Sequence, residues 1–200
     1  MSIPRSAAAL VAALLLTASA APAGAQEAGE ISYETYTLDN GLRVILHQDR
    51  STPVVAVDVW YDVGARDEER GRSGFAHLFE HMMFQGSEHV EKAQHLTMVE
   101  SVGGSVNGST TEDRTNYFET VPANRVNLAL WLEADRMRSL AVTEDNLENQ
   151  RETVKEERRL RVDNQPYGKA FLRFTTMPYD SATCFGYAHS VIGSMEDLNA

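Results

Sequence analysis

Residues 73–84 read Ser-Gly-Phe-Ala-His-Leu-Phe-Glu-His-Met-Met-Phe, and within them stands the pattern His77-x-x-Glu80-His81. On a helix, side chains four residues apart lie on one face, one turn apart, so both imidazoles can reach the same point. Two imidazole nitrogens supply half of a tetrahedral Zn²⁺ site. The apolar residues around the pattern indicate that its helix packs against a core, where buried imidazoles need partners. We therefore expect His77 and His81 to bind a metal.

Glu80 lies beside His81 on the same helix, where a carboxylate can take a proton from a metal-activated water. The order His-x-x-Glu-His inverts the commoner His-Glu-x-x-His and is one of the sequence signatures of zinc proteases. So short a pattern also arises by chance, and alone it is moderate evidence. Taken by itself it leaves open that both histidines are ordinary core or surface residues.

A catalytic zinc site usually has three protein ligands and one open position. A third ligand is expected among the acidic residues of a long charged helix predicted over residues 143–162, namely Glu152, Glu156 and Glu157. Composition does not choose among these three. A solvated helix with Glu–Arg pairs would show the same pattern.

The strand pattern indicates several antiparallel pairings. Alternating residues on both sides of Asp39-Asn40-Gly41 predict a β-hairpin. The apolar run at residues 54–61 predicts a strand in the centre of a sheet, because both of its faces are apolar. Residues 105–111 and 115–121 are predicted to form a pair of strands.

Helices follow the strands along most of the chain. Ser73 is the expected N-cap of the helix that carries the two histidines. Further helices are predicted over residues 92–102, 125–140 and 143–162. This order predicts an α+β fold, with a mixed or largely antiparallel sheet packed against helices.

Residues 1–25 are typical of a secretory signal peptide, with an apolar run from Ala7 to Ala20 followed by small residues. That run is too short to span about 30 Å of hydrocarbon, so we expect no stable membrane anchor. We expect cleavage near Ala25–Gln26 and a periplasmic or secreted protein. The remaining residues, 26–200, are enough for one sizeable domain.

The formal net charge of −11 argues against nucleic acid as a partner and mildly favours cationic or neutral substrates. Cys184 is the single cysteine and cannot form an intrachain disulfide, so it is interpreted as structural or incidental.

The histidine motif followed by the glutamate-rich helix resembles the pitrilysin/insulinase family of zinc endopeptidases, which includes the mitochondrial processing peptidases. In that family a glutamate about 76 residues after the second histidine completes the metal site, and here that position is Glu157, with Glu156 as the alternative. The resemblance implies one Zn²⁺ per chain, held by His77, His81 and Glu157. It also implies that Glu80 is the general base in the cleavage of peptides or unfolded polypeptides.

Residues 103–118 resemble the family's glycine-rich turn and edge strand, which binds the substrate backbone as an added strand. The resemblance implies that Asn107 and Thr110 contact the substrate. An exposed strand edge offers free N–H and C=O groups to an extended peptide. An ordinary hairpin would have the same pattern, and Gly108 stands where relatives often have alanine.

Relatives are longer, and their active enzymes pair an N-terminal half with a homologous C-terminal half. The resemblance therefore implies that residues 26–200 are an N-terminal metallopeptidase domain, the first half of a two-half peptidase fold, incomplete at its C-terminal end and without full activity alone. A homologous C-terminal half or a partner subunit is expected to complete the enzyme. The alternative is a non-catalytic partner subunit of a related peptidase complex. Gln150 stands where some relatives have an acid that supports the metal site.

Overall fold

The computed structural model describes residues 31–178 and 191–199. The predicted signal peptide and Cys184 lie outside these residues. The chain divides into two compact units, residues 1–50 and 51–200. Within the described ranges, no helix is both long enough and apolar enough to cross a membrane.

The first unit contains the predicted β-hairpin. Strand β1 (Glu34–Thr37) pairs antiparallel with strand β2 (Arg43–Leu46), with Glu34 opposite Leu46 and Thr37 opposite Arg43. Gly41 in the turn has a φ of +88°, a conformation that glycine adopts without steric cost.

The second unit contains an antiparallel sheet of three strands in the order β3-β5-β4. The strands are β3 (Val54–Tyr61), β4 (Ser105–Thr110) and β5 (Thr115–Pro122). The predicted pairing of the second and third of these is confirmed, with Ser105 opposite Thr120. Strand β5 is central and the most buried of the three.

The prediction that residues 54–61 form a central strand is wrong for the part of the chain that the structure describes. Strand β3 pairs there with β5 alone, and its residues alternate between exposed and half-buried. Runs of β-branched and aromatic residues fit any half-buried pleated surface, so this composition does not separate an edge strand from a central one.

Five α-helices are present in the described residues. They are α1 (Phe75–Met82), α2 (Gln94–Ser101), α3 (Val126–Ser139), α4 (Glu144–Arg158) and α5 (Gly168–Thr176). Helix α4 begins at the N-cap Thr143, whose side chain accepts a hydrogen bond from Asn146 N, and it continues into a π-helical turn, Arg159–Asp163. The helices and antiparallel strands confirm the predicted α+β fold.

Helix α5 is not among the helices predicted from the sequence. The helix has only nine residues, too few for a periodic pattern to stand out. Its large apolar side chains Phe171 and Phe174 are 68% and 69% exposed, so the pattern does not mark a buried face.

Two apolar clusters hold the second unit together. The larger one joins α2, α3 and β5 through buried residues that include Val99, Leu132 and Val121. The smaller one consists of Leu78 from α1, Val154 from α4 and Leu198, all fully buried. Burying such a side chain contributes about 1.5–3 kcal/mol, and this cluster sets the distance between α1 and α4.

The start of helix α1 differs from the prediction, because the N-cap is Gly74, with a φ of +94°, and not Ser73. The hydroxyl of Ser73 instead donates to Asp197 Oδ2 at 2.6 Å. Glu68 accepts hydrogen bonds from the backbone N–H groups of Gly74 and Ala76, at 2.9 and 2.8 Å. The carboxylate of Glu68, from outside the helix, therefore satisfies N–H groups at the start of α1 that a serine cap would otherwise bind, while Asp197 binds Ser73 itself.

Candidate metal centre

Three side chains from α1 and α4 converge on one point. The Nε2 atoms of His77 and His81 lie 3.3 Å apart. Glu157 Oε2 lies 3.6 Å from His77 Nε2 and 3.3 Å from His81 Nε2. Ligand atoms about 2.1 Å from a tetrahedral Zn²⁺ are about 3.4 Å from one another, so these spacings fit such an ion.

The structure shows which of the neighbouring glutamates, Glu156 or Glu157, faces the two histidines. Glu157 faces both imidazoles, and its second oxygen, Oε1, forms an ion pair with the guanidinium of Arg161 at 2.7 Å. Glu156 is exposed and pairs with Arg159 at 2.9 Å. One residue along a helix corresponds to a rotation of 100°, which is why adjacent glutamates have such different surroundings.

His77 is 7% exposed, and its electrostatic environment favours the neutral imidazole. Burial and then the neighbouring His81 lower the pKa of His77 to about 4, although Glu157 acts in the opposite direction. A neutral ring keeps a lone pair available for a metal at neutral pH. Its Nδ1 atom is buried and has no hydrogen-bond partner among the described residues.

His81 contacts the side chain of Gln150, which lies on helix α4. The Nδ1 atom of His81 is 3.3 Å from Gln150 Oε1. An amide oxygen only accepts hydrogen bonds, so this orientation of the Gln150 amide matches the neutral tautomer of His81 that has its proton on Nδ1 and its lone pair on Nε2. Gln150 thus supplies an acceptor beside His81 without adding a charge.

Glu80 is held by strand β4. Its Oε2 atom accepts a hydrogen bond of 2.5 Å from the hydroxyl of Thr110. Burial raises the pKa of Glu80 above its ordinary value, while the hydrogen bond from Thr110 and the neighbouring His81 act in the opposite direction. A higher pKa makes a carboxylate a stronger base. Thr110, which the sequence predicts as a substrate contact, is directed at Glu80 in this structure.

A cavity of about 700 Å³ opens onto these residues, and strand β4 forms one of its walls. Within the described ranges, β4 pairs with β5 alone. Asn107 lines the cavity, and its side-chain oxygen accepts a hydrogen bond from Gly108 N at 2.9 Å. A Cβ atom at Gly108 would lie 3.2 Å from Glu80 Cγ, so glycine here allows β4 to approach Glu80 closely.

Two arginines at this site were missed by sequence analysis. Arg161, in the π-helical turn, orients Glu157. Arg114 donates to the backbone oxygen of Ser109 at 2.9 Å and to Asn116 Oδ1 at 2.6 Å, which braces the end of β4. Both contacts are local in sequence: Arg161 stands four residues after Glu157, the spacing of a helical ion pair, and Arg114 lies within residues 103–118, five residues after Ser109.

A second group of potential ligands, His95, Glu119 and Glu133, is buried elsewhere in the same unit. Arg136 donates to both carboxylate oxygens of Glu133. Burial raises the pKa of Glu133 to about 7, whereas Arg136 lowers it. Because a guanidinium already neutralises this carboxylate, we interpret the group as a buried ion-pair network.

Comparisons with known proteins agree with this geometry. The family of insulinase peptidases, M16, matches residues 43–176. The chain is 37% identical over 167 residues to the zinc protease PqqE of Helicobacter pylori. The aligned residues cover 83% of this chain and 37% of that protein. The chain therefore spans well under half the length of this relative.

Solved structures show the same likeness. A protease from Helicobacter pylori superimposes with a TM-score of 0.80 at 36% identity, covering 85% of this chain and 40% of the other. The first half of the periplasmic protease PqqL from Escherichia coli superimposes with a TM-score of 0.71 at 22% identity, a likeness of fold, and covers 84% of this chain and 37% of that chain. Since the family match extends over more than half of the sequence, the chain belongs to the insulinase (M16) family of peptidases.

Proposed function

We propose that this chain is the metal-binding half of a zinc-dependent endopeptidase. The observation that carries the proposal is the convergence of His77 Nε2, His81 Nε2 and Glu157 Oε2 within 3.6 Å of one another, with Glu80 beside them. Two neutral imidazoles and one carboxylate are the donor set of many catalytic zinc sites. The names of relatives, zinc proteases among them, support the same chemistry.

When bound by these three side chains, Zn²⁺ would supply Lewis-acid polarisation of the peptide carbonyl and lower the pKa of water to about 7. Glu80 takes the proton of the attacking water and returns it to the leaving amine. Its raised pKa favours proton uptake, and the hydrogen bond from Thr110 holds the carboxylate in place. Arg161 fixes Glu157 for its role as ligand.

Strand β4 is the proposed binding site for the substrate backbone. Its residues line the cavity next to Glu80, and a peptide in extended conformation can add to its free edge as another strand. Asn107 is the proposed side-chain contact to the substrate. Thr110, on the same strand, is proposed to have two roles. Its hydroxyl holds the carboxylate of Glu80 by a hydrogen bond, and it is also a proposed contact to the peptide.

The remaining proposals concern the whole protein. Because the chain covers 37% of PqqE, we propose that a homologous C-terminal half or a partner subunit closes the cavity over the peptide. We also propose a periplasmic or secreted location. The apolar N-terminal residues support it, and the structural neighbour PqqL is a periplasmic protease.

The test is Glu80→Gln in the full-length protein. We expect stoichiometric zinc to remain, because Glu80 is not among the proposed ligands, and peptide cleavage to fall by about 10²–10⁴-fold, as for the loss of an essential base. Zinc is measured by elemental analysis and cleavage with a fluorogenic peptide, with and without a chelator. The matched control is Glu88→Gln, an exposed glutamate outside the cavity.

Two results would contradict the proposal. A cleavage rate of Glu80→Gln within about tenfold of the wild-type rate would show that Glu80 is not the essential general base. A wild-type protein that binds zinc but cleaves no peptide, even with its C-terminal half present, would instead support the non-catalytic partner subunit.

A further inference from the structure

A chain of hydrogen bonds leads from the surface to His81. Lys92 Nζ donates to Asn149 Oδ1 at 3.0 Å. Gln150 Nε2 donates to the same oxygen at 2.9 Å, and Gln150 Oε1 faces His81 Nδ1 at 3.3 Å. Lys92 and Asn149 are exposed, whereas Gln150 is buried. The chain joins the segment before α2 to α4, and α4 to α1.

The direction of these bonds depends on Lys92. Asparagine and glutamine can each present either an oxygen or an NH₂ group, so the two amides alone could be arranged in two opposite ways. A lysine ammonium has three donors and no acceptor, and it therefore requires the oxygen of Asn149. That oxygen requires the NH₂ group of Gln150, which turns the oxygen of Gln150 towards His81.

The last step sets the tautomer of His81. An oxygen beside Nδ1 requires a proton on Nδ1, so Nε2 is left with its lone pair facing His77 and Glu157. With the amides reversed, an NH₂ group would face Nδ1, and the proton would move to Nε2, where it blocks metal binding. A partner that fixes the ring of a ligating histidine typically changes metal affinity by about 10–100-fold.

We propose that Lys92 and Asn149 are positioning residues that select the metal-binding tautomer of His81 through Gln150. The proposal deepens the proposed function, on which it rests for its consequence. Its first effect, the tautomer, exists in the metal-free protein and can be measured there. Gln150 suits this arrangement better than glutamate, because a carboxylate has no NH₂ group to donate to Asn149.

The sharpest test reverses the donor at position 92. In Lys92→Glu the carboxylate requires the NH₂ group of Asn149, which reverses both amides and moves the proton of His81 to Nε2. We expect zinc affinity to fall about tenfold or more. Simple charge attraction predicts the opposite, since a negative charge near the site should strengthen cation binding. Lys169→Glu makes the same charge change outside this hydrogen-bond chain and serves as the control.

Two further variants complete the series in the full-length protein. Lys92→Met removes the selection, so we expect a mixture of His81 tautomers and about a twofold loss of zinc affinity, in line with a binding-competent population near one half. Asn149→Asp keeps an acceptor towards both Lys92 and Gln150, so we expect the tautomer of His81 to match the wild type and zinc affinity to equal or exceed it, because the aspartate adds a negative charge. Tautomers are measured by ¹⁵N NMR of the histidine rings without metal, and affinities by competition with a chelator.

The outcomes separate this proposal from the proposed function. An unchanged tautomer in Lys92→Glu, or zinc affinity equal to or above that of the Lys169→Glu control, overturns the role of Lys92 and Asn149. A wild-type protein with the expected tautomer that fails to bind zinc leaves the hydrogen-bond chain intact and overturns the metal site instead.

Discussion

Glu156 and Glu157 are adjacent carboxylates in very different surroundings, and the candidate site depends on which one faces the histidines. We expect Glu157→Gln to weaken zinc binding by more than about 100-fold, because removing a ligand costs more than removing a partner of a ligand. Glu156→Gln is the matched control and should bind zinc as the wild type does, since that side chain pairs with Arg159 in solvent. Chelator competition measures both. Equal losses in the two variants would contradict the assignment.

Local spacing predicts part of this site and tertiary structure decides the rest. His77, Glu80 and His81 lie within five residues, so helical geometry alone brings them near one another. Glu157 was reached through a family resemblance, because the rotation of α4 relative to α1 depends on how their cores pack. The hydrogen bond between Thr110 and Glu80 joins a strand to a helix and leaves no local signal in the sequence.

At the scale of elements, the segment of residues 191–199 packs tightly over the start of helix α1. A Cβ atom at Gly193 would lie 2.4 Å from the backbone oxygen of Ser73, and Gly193 has a φ of +72°. The guanidinium of Arg158, at the end of α4, donates to the backbone oxygen of Gly193. This contact therefore links the starting turn of α1 to the end of α4, close to the proposed ligands.

We expect Gly193→Ala to lower the free energy of unfolding by about 2–5 kcal/mol. A left-handed conformation costs an alanine about 1–2 kcal/mol, and the backbone clash adds about 1–3 kcal/mol. Gly103→Ala is the control, with a φ of +80° and nothing within 4 Å of the added Cβ atom, and it should lose only the conformational cost of about 1–2 kcal/mol. Urea unfolding followed by circular dichroism gives both values. If Gly193→Ala loses no more free energy of unfolding than the control does, residues 191–199 move to accommodate the added Cβ atom, and the expected backbone clash is contradicted.

Sequence patterns predicted most elements of this chain but not their positions in the sheet. The pairing of β4 with β5 and the N-terminus of α4 at Thr143 both follow from short local signals and agree with the structure. The apolar character of β3 predicts a central strand, whereas the structure has β5 between β3 and β4 in the described residues. The position of a strand in the sheet depends on its pairing partners, and contacts between segments that are distant in the sequence determine that pairing.

At the scale of the molecule, α1 and α4 contact each other in two ways, through an apolar cluster and through the proposed metal ligands. The cluster of Leu78, Val154 and Leu198 joins them through apolar packing, and the proposed ligands face each other across the same pair of helices. A bound Zn²⁺ would therefore connect two segments that are far apart in the sequence. A metal that binds only the folded state shifts the folding equilibrium towards that state by mass action. Tighter zinc binding therefore raises the free energy of unfolding.

Thermal unfolding with and without zinc tests this coupling. A thousandfold excess of free zinc over its dissociation constant contributes about 4 kcal/mol, which corresponds to a rise in Tm of about 8–16 °C for a domain of this size. The double variant His77→Ala, His81→Ala should lose this rise, whereas His89→Gln, which alters an exposed histidine paired with Asp135, should keep it. If the double variant keeps the full rise, zinc binds elsewhere, and the buried group of His95, Glu119 and Glu133 becomes the site to examine by substitution, because its ligand atoms also lie within 4.8 Å of one another.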